Sequence, residues 1–188
     1  MIIRDRLIEI SENFKNLASS GVDDIEIISK VMIDCLNSKN KIMFCGNGGS
    51  AADSQHLAAE LVGRYRINRP PLSAIALSTD TSSITAIAND FSFDEIFLRQ
   101  IKAIGRENDV LYAISTSGKS QNIISALETA KKMKIKTIGV TGFDGGNMND
   151  LCDFIIKVPA STPDRIQELH IAVGQIICEI IENNFFNN

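Results

Sequence analysis

Three ionisable side chains recur at helical spacing after the first glycine cluster of the sequence. Asp53, His56 and Glu60 are separated by three and four residues, so an α-helix would place all three on one face. Glu60 and His56 are the clearest acid–base candidates, because a carboxylate at the edge of an apolar core can become basic enough to take a proton from a substrate. A polar helix face with a surface ion pair is the alternative, and these residues alone favour it.

A glycine-rich turn precedes that helix. The apolar run Lys41–Cys45 is typical of a buried parallel strand, and Gly46, Gly48 and Gly49 follow it. Glycines allow positive φ and close approach of the backbone to a ligand, and Ser50 is expected to cap the helix. Backbone N–H groups at such a helix start bind anions, so the sequence predicts an anion site here.

The same turn fits a dinucleotide-binding pattern only loosely. Gly46, Gly48 and Ala51 match the glycine pattern, but a dinucleotide site also needs an acidic residue about 20 residues later, at the end of the next strand. The nearest candidate, Asp80, lies too far along the chain. A nicotinamide or flavin site is therefore disfavoured.

A second loop carries four hydroxyl side chains. The run STSGKS follows the apolar strand VLYAI and supplies Ser115, Thr116, Ser117 and Ser120. Hydroxyls, a glycine and a helix N-terminus can together hold a phosphate monoester. The run is not a Walker A loop, because that motif needs a glycine where Ala113 stands. A solvated turn stays open as the alternative.

The last predicted helix, Asp164–Asn183, carries polar residues on a largely apolar surface. Gln167 and Gln175 lie eight residues apart and project within about 80° of each other on an ideal helix. His170 projects about 140° away from Gln175, so it cannot take over that side chain's place. The sequence has one other histidine, His56. These polar residues indicate either a site or a solvated stripe.

Composition favours one globular domain and disfavours several classes of partner. The chain has 188 residues, 44% of them hydrophobic, and a net charge of −4, which suits a single domain with a sizeable core. It has no basic stripe for nucleic acid and no apolar run of about 18 residues for a membrane span. The cysteines Cys35, Cys45, Cys152 and Cys178 have no CxxC spacing, so we expect reduced thiols in a cytoplasmic protein.

Hydrophobic periodicity predicts an α/β domain behind a helical hairpin. Two helices are expected within residues 1–40, on either side of Gly21, and they pack either on their own domain or on another subunit. Residues 41–188 alternate strands and helices and predict a parallel sheet. The predicted strands are Lys41–Cys45, Ser73–Leu77, Val110–Ser115, Thr137–Val140 and Phe154–Val158. The predicted later helices are Ser82–Asn89, Asp94–Ile104, Ser120–Lys132 and Asp164–Asn183, with a frayed tail at Asn183–Asn188.

The predicted sheet indicates where a ligand would bind. Ligands of such domains lie outside the carboxyl ends of the strands. Three loops, Gly46–Ser50, Ser78–Ser83 and Ser115–Ser120, should therefore converge on one site. Residues 1–188 are expected to form one domain, with the hairpin at 1–40 and the α/β core with its long last helix at 41–188.

Several motifs in the same order carry a family resemblance. The runs CGNGGSAADSQHLAAELVGRY, AIAND, ISTSGKS, TGFDGG and RIQELHI closely resemble the sugar isomerase (SIS) domain family over nearly the whole chain. The resemblance implies a flavodoxin-like three-layer αβα sandwich with a five-stranded parallel sheet, and a homotetramer with sites between subunits. It also implies an aldose–ketose isomerase acting on a phosphorylated seven-carbon sugar, between sedoheptulose 7-phosphate and D-glycero-D-manno-heptose 7-phosphate, on the route to lipopolysaccharide or capsule heptoses.

The resemblance also implies a role for individual residues. The implied substrate-binding set is Asn47, Gly48, Gly49, Ser50, Asp53, Glu60, Asn89, Asp90, Ser115, Thr116, Ser117, Ser120 and Gln167, with the hydroxyls of 115–120 on the phosphate. Glu60 would be the base that moves a proton between C1 and C2 through an enediol. Some family members bind zinc, and here His56, Glu60 and Gln167 would be ligands.

One position departs from the family pattern. The family's histidine eight residues after Gln167 acts as an acid–base partner and zinc ligand, and Gln175 stands there in this sequence. A glutamine does not titrate near pH 7 and is a weak zinc ligand. Three explanations stay open: a variant with weakened turnover, another acid such as His56 or a water, or a different role.

A different role gives the alternative function. Some proteins of this fold are tetrameric scaffolds that bind the replication initiator, and they also lack that histidine. They lack the glutamate that matches Glu60 as well, so Glu60 and the run GNGGSAAD-x-x-H favour the enzyme. A SIS protein for another phosphosugar is a further alternative, because all of these proteins share the phosphate loop.

Overall fold

The computed structural model describes residues 2–186, in which a helical pair precedes alternating strands and helices. The helices are α1 (Ile2–Ser20), α2 (Val22–Asn37), α3 (Gly49–Val62), α4 (Thr81–Asp90), α5 (Ile96–Ile104), α6 (Gln121–Lys132) and α7 (Pro163–Phe186). The strands are β1 (Ile42–Gly46), β2 (Ala74–Ala76), β3 (Val110–Ser115), β4 (Lys136–Thr141) and β5 (Phe154–Lys157). Short 3₁₀ turns span Phe93–Glu95 and Gly146–Asp150.

The five strands form one parallel sheet in the order β2-β1-β3-β4-β5. This is the flavodoxin-like order, in which the crevice for ligands opens where the strand order reverses, between β1 and β3. The residues of β1 and β3 are all buried, as their continuous apolar runs predict for strands covered on both faces. The predicted fold class is confirmed.

Helices cover both faces of the sheet and give three layers. Ile42 and Phe44 of β1 join a cluster with residues of α2, α3 and α7, and Met43 and Cys45 join a second cluster with residues of α5 and α6. The alternation follows from the period of two along a strand. The sheet therefore holds α3 and α7 together on one face, next to each other.

The hairpin packs on its own domain mainly through its second helix. Ile25, Ile28 and Met32 of α2 are buried in the core. Helix α1 buries only Leu17, and Ile2 is 71% exposed. The packing of α2 thus agrees with the first of the two predicted alternatives, in which the hairpin packs on its own domain. Most of the apolar surface of α1, in contrast, is not covered by other parts of residues 2–186.

The predicted elements agree with the structure except at their ends. The segment predicted as the helix Asp94–Ile104 begins as the 3₁₀ turn, and α5 follows it. The tail predicted to fray from Asn183 is helical as far as Phe186, because Phe185 packs against the core and touches Phe186 at a ring-centroid distance of 5.9 Å. Asn187 and Asn188 lie outside the described residues.

Two further sequence expectations concern redox state and membranes. All four cysteines are free thiols, as predicted. Within residues 2–186, no helix combines the length and apolar character that a membrane span requires.

Candidate active site

The glycine turn, residues 46–49, joins β1 to α3. Gly48 has φ 56° and ψ −121°, a backbone conformation that a residue with a Cβ rarely adopts. The prediction that Ser50 caps α3 is wrong. The helix begins two residues earlier than a Ser50 cap would give, at Gly49 with Gly48 at the cap position, and Ser50 is buried in the first turn.

Helices α3 and α7 pack closely at two glycines. A Cβ on Gly49 would lie 2.7 Å from both amide atoms of Gln167, and a Cβ on Gly174 would lie 2.5 Å from a methyl group of Leu57. Glycine at both positions leaves room for the Gln167 and Leu57 side chains of the facing helix. The contact at Gly49 brings Gln167 to the glycine turn, as its place in the predicted site requires.

The serine loop, Ser115–Ser120, begins at the last residue of β3 and ends at the cap of α6. The Ser115 hydroxyl donates a hydrogen bond to the Ser120 hydroxyl at 3.4 Å, and Ser117 Oγ accepts one from the Lys119 backbone at 3.2 Å. Gly118, with φ +63°, makes the bend between them. The hydroxyls therefore gather around the N-terminal end of α6, where an anion is favoured.

A pair of amides joins the glycine turn to the serine loop's helix. Asn47 Nδ2 donates to Asn122 Oδ1 at 2.8 Å, and Asn122 Nδ2 donates back to Asn47 Oδ1 at 2.9 Å. Asn122 is the second residue of α6 and is 2% exposed. The sequence prediction missed Asn122. Its only local signal is a polar residue at the start of an otherwise apolar helix face.

The loop after β2 also reaches α3. The Ser78 hydroxyl donates to the Ala51 carbonyl at 3.3 Å, and Gln55 Nε2 donates to the Ser78 hydroxyl at 3.2 Å. The loop after β2 thus contacts α3 through Ser78, and the glycine turn contacts the helix that follows the serine loop through Asn122. The expected convergence at the carboxyl ends of the strands is present.

His56 and Glu60 form the predicted pair on α3. His56 Nε2 lies 3.0 Å from Glu60 Oε1, and the two side chains are 47% and 20% exposed. Glu60 also lies near Cys178 of α7, where burial and then the Glu60 charge raise the pKa of the Cys178 thiol to about 12. Glu60 therefore sits at the α3–α7 seam, with its carboxylate accessible.

Asp53 lies on the same helix face, and its pKa is shifted. Burial raises the pKa of Asp53 to about 6, against an opposing effect of His56. Its Oδ2 atom is buried and has no hydrogen-bond partner within residues 2–186, and the same holds for the Tyr112 hydroxyl. Burial, with Cys178 and Asp53, raises the pKa of Tyr112.

Helix α7 offers no titratable group in place of the family histidine. Gln175 is half-buried, directly after the contact of Gly174 with Leu57. His170 is 1% exposed and lies beside the backbone of Thr141, and burial lowers the pKa of His170 to about 4. His170 is therefore neutral at pH 7 and is held inside the core.

Two predicted sugar contacts stand apart from the others. Asn89 and Asp90 are exposed at the C-terminal end of α4, where the Asn89 amide donates to Asp90 Oδ1 at 2.9 Å. No hydrogen bond joins either residue to the other predicted site residues of the described chain. The single chain therefore brings together the turn, the serine loop, Gln167 and the face of α3, but not this pair.

The donor set for zinc is weak. Residues 2–186 contain no group of three or more His, Cys, Asp or Glu side chains close enough to hold a metal ion. His56 and Glu60 are the two strong donors, and the remaining predicted ligand is the amide of Gln167. Because catalytic zinc sites use three protein ligands drawn from imidazole, thiolate and carboxylate, these residues alone do not fit a zinc centre.

Comparison with known proteins gives a consistent result. The sequence model described as "SIS domain" matches residues 7–142. A protein from Akkermansia muciniphila named phosphoheptose isomerase is 50% identical over 184 residues, which are 98% of this chain and 97% of that protein. One from Nitratiruptor is 49% identical, covering 97% of this chain and 98% of its own.

Solved structures agree with the sequence comparison. The phosphoheptose isomerase from Neisseria gonorrhoeae matches with a TM-score of 0.91 and 39% identity, covering 96% of this chain and 97% of its own. That from Francisella tularensis matches with a TM-score of 0.94 and 35% identity, covering 96% of both chains. The chain belongs to the SIS domain family and, within it, to the phosphoheptose isomerases.

Proposed function

We propose that this protein is an aldose–ketose isomerase that interconverts sedoheptulose 7-phosphate and D-glycero-D-manno-heptose 7-phosphate. The observation that carries the proposal is the Asn47–Asn122 amide pair, because it joins the glycine turn to the helix that ends the serine loop. A phosphate cradle and a sugar-binding turn are thus parts of one site. The near full-length similarity to phosphoheptose isomerases supports the choice of a seven-carbon substrate.

The distances along α3 suit a long substrate. From Gly49 to Glu60 the helix rises about 16 Å, and helical side chains lean back toward the N-terminus. In a sugar with its phosphate on C7 and its reactive carbons at C1 and C2, the phosphate and the reactive carbons lie at opposite ends of the molecule. The hydroxyls of 115–120 hold the phosphate, and Asn47, Gly48 and Gly49 contact the sugar.

The chemistry needs one base and one group that exchanges protons with oxygen. Glu60 removes a proton from C1 of the ketose, which leaves an enediol, and returns a proton to C2 to give the aldose. Meanwhile one proton is added to the oxygen on C2 and one leaves the oxygen on C1. Gln175 can hold these hydroxyls but cannot transfer a proton. Asp53, with its pKa raised to about 6, and His56 are the titratable groups of this face that can.

The non-catalytic scaffold is not favoured as an alternative. The relatives of about 50% identity are named phosphoheptose isomerase, and Glu60 pairs with His56 here. A SIS protein for another phosphosugar uses the same loops and is distinguished by the substrate that turns over. Within this proposal the product leads to the heptoses of lipopolysaccharide or capsule, and the enzyme works in the cytoplasm.

The proposal includes a homotetramer with sites between subunits. The exposed apolar face of α1, which includes Ile2, Ile3 and Leu7, supports association, and the isolated position of Asn89 and Asp90 fits a contribution to a neighbour's site. Light scattering after size-exclusion chromatography measures the mass. Zinc at His56, Glu60 and Gln167 stays a prediction that metal analysis of the purified protein tests, and no catalytic step proposed for these residues depends on it.

Proton exchange in D₂O tests the function. We expect sedoheptulose 7-phosphate to gain deuterium at C1 and to form the aldose, both followed by NMR. Glu60→Gln should stop both while phosphosugar binding, measured by calorimetry, persists. Deuterium exchange at C1 without formation of the aldose would support Glu60 as the base and would show that proton delivery to oxygen is impaired. Absence of both in the parent protein, with intact folding, would contradict the proposed function.

A further inference from the structure

A buried ion pair lies at the C-terminal end of the helix that carries Glu60. Arg69 Nε donates to Glu182 Oε2 at 3.0 Å, and the two side chains are 1% and 3% exposed. Arg69 belongs to the segment between α3 and β2, and Glu182 belongs to the last turns of α7. We call this pair the Arg69–Glu182 clamp.

The arginine of the clamp binds the backbone of the proposed base. Arg69 Nη2 donates to the Glu60 carbonyl at 2.6 Å, and Nη1 donates to the Leu61 carbonyl at 2.8 Å. Helix α3 ends at Val62, so both carbonyls are among the last four, which have no partner within a helix. The Leu61 carbonyl also accepts a hydrogen bond from the Leu72 backbone N–H at 3.0 Å. The guanidinium is the partner of the Glu60 carbonyl beyond the helix, so Arg69 acts most directly on the backbone of Glu60 itself.

The glutamate of the clamp fixes the segment that follows. Its carboxylate accepts hydrogen bonds from three successive backbone N–H groups, those of Tyr65 at 3.0 Å, Arg66 at 2.8 Å and Ile67 at 3.2 Å. Burial acts to raise the pKa of Glu182, but these bonds and the one from Arg69 outweigh it, and the pKa lies below the ordinary value. The Glu182 carboxylate on α7 thus fixes the backbone of residues 65–67, the segment that follows α3.

Stability alone does not account for this arrangement. A buried ion pair is often no more stabilising than well-packed apolar side chains of the same size, because both charges lose their hydration. What a fully hydrogen-bonded pair adds is a fixed geometry. Glu60 stands two residues before the end of α3, where an uncapped helix frays, and its side chain must meet both His56 and the substrate.

We propose that Arg69 and Glu182 are positioning residues for the base Glu60. The clamp holds the last turn of α3 against α7, so the Glu60 carboxylate keeps its place beside His56. This inference rests on the proposed function for its effect on turnover, but its effect on the His56–Glu60 contact is independent of any activity.

A neighbouring ion pair provides a matched control. Arg66 Nη1 bonds Glu179 Oε1 between the same segment and the same helix, one turn earlier, but the Arg66 side chain is 62% exposed and neither residue binds the α3 carbonyls through its side chain. The variants are Arg69→Lys and Glu182→Gln for the clamp, and Arg66→Lys and Glu179→Gln for the control. Thermal unfolding sets an assay temperature at which every variant is folded.

Kinetics gives the first readout. A displacement of about 1 Å at a reacting group costs roughly 100-fold in rate, so we expect the clamp variants to lose about 10- to 100-fold in kcat, with KM within about threefold of the parent. The control variants should stay within about twofold of the parent in both. Clamp variants that unfold at lower temperature but keep the parent kcat would show that the pair is only structural.

Histidine NMR gives the second readout, which needs no turnover. With His56 and His170 as the only histidines, imidazoles labelled with ¹³C at Cε1 give two signals. We expect the His56 signal at constant pH to shift in both clamp variants and to stay in place in both controls, with His170 unchanged throughout. An unchanged His56 signal in folded clamp variants would overturn the proposal. A parent without isomerase activity would contradict the proposed function, and His56 would still decide whether the clamp positions Glu60.

Discussion

Gly146, in the TGFDGG turn, packs against the backbone of the serine loop. The substitution Gly146→Ala should therefore displace the serine loop. Gly146 has φ +53°, so a Cβ there costs about 1 to 2 kcal/mol in backbone conformation. That Cβ would also lie 2.5 Å from the Ser117 carbonyl oxygen and 2.8 Å from the Gly118 carbonyl carbon. These are backbone atoms, so relief to ordinary contact, which starts at 3.4 Å, needs a shift of about 0.9 Å in the loop itself.

The adjacent glycine supplies the control. Gly145 has φ +73° and carries a similar conformational cost, but a Cβ there would meet the side-chain amide of Asn149 at 2.3 Å and not the serine loop. Moving that amide breaks its hydrogen bonds to the Asp144 and Gly146 carbonyls. Both variants should lose about 1 to 2 kcal/mol of stability from the backbone conformation, and the contacts of the added Cβ should increase the loss in each. Only Gly146→Ala should weaken binding of sedoheptulose 7-phosphate, by about 10-fold or more, since loop placement governs the phosphate contacts.

Two measurements on the same samples separate stability from binding. Thermal unfolding reports the stability loss, and isothermal calorimetry at a temperature below both transitions reports the affinity for the phosphosugar. Inorganic phosphate as a competitor shows whether the lost contacts are those to phosphate. Equal affinities in the Gly145 and Gly146 variants would refute the idea that the Gly146 contact sets the position of the serine loop.

Three further predictions concern groups around the two loops and α3. Gln175→His should raise turnover, zinc content or both, measured by the NMR exchange assay and by metal analysis, and no change in either would remove position 175 from the chemistry. Asp53→Asn should raise Tm at pH 7.5 but not at pH 4: the folded carboxyl keeps its proton up to about pH 6 and the unfolded one only to about 3.8, so folding loses stability as pH rises between these values. A Tm difference that is the same at both pH values would contradict that account. Asn122→Leu should cost about 1 to 3 kcal/mol in denaturant unfolding, because it leaves the Asn47 amide unpaired, and a neutral result would show that the amide finds another partner.

The sheet was predictable because its strands carry their own signal. Val110–Ser115 is buried throughout and apolar up to its last residue, and the glycines at 46, 48 and 49 mark the turn that follows β1. The cap of α3 was not predictable in the same way. A serine at the start of a helix usually caps it, but Gly48 adopts ψ −121° and lets the helix begin before Ser50. The geometry of the turn, not the propensity of one residue, decided the boundary.

The contacts that organise the site are those that a sequence does not reveal. Asn47 and Asn122 are 75 residues apart, and Arg69 and Glu182 are 113 apart. The residues next to each partner in the sequence show no sign of the pairing. The two partners meet only because the crossover connections of the parallel sheet bring their segments together. Polar residues that pair across such distances look like surface residues in the sequence, because nothing local distinguishes a buried amide or guanidinium from a solvated one.

From the departure at Gln175 we infer that the acid–base groups of the proposed reaction lie on α3. On α7 the half-buried Gln175 cannot titrate, and the neutral, buried His170 is held in the core, so neither can exchange a proton with a substrate oxygen. On α3 the carboxyl of Asp53 titrates near pH 6, and His56 already contacts Glu60. In the proposed reaction, both the carbon-bound and the oxygen-bound protons therefore pass through one helix face. The placement of that face then matters more than usual, which is why the end of α3, fixed by Arg69, is expected to control the rate.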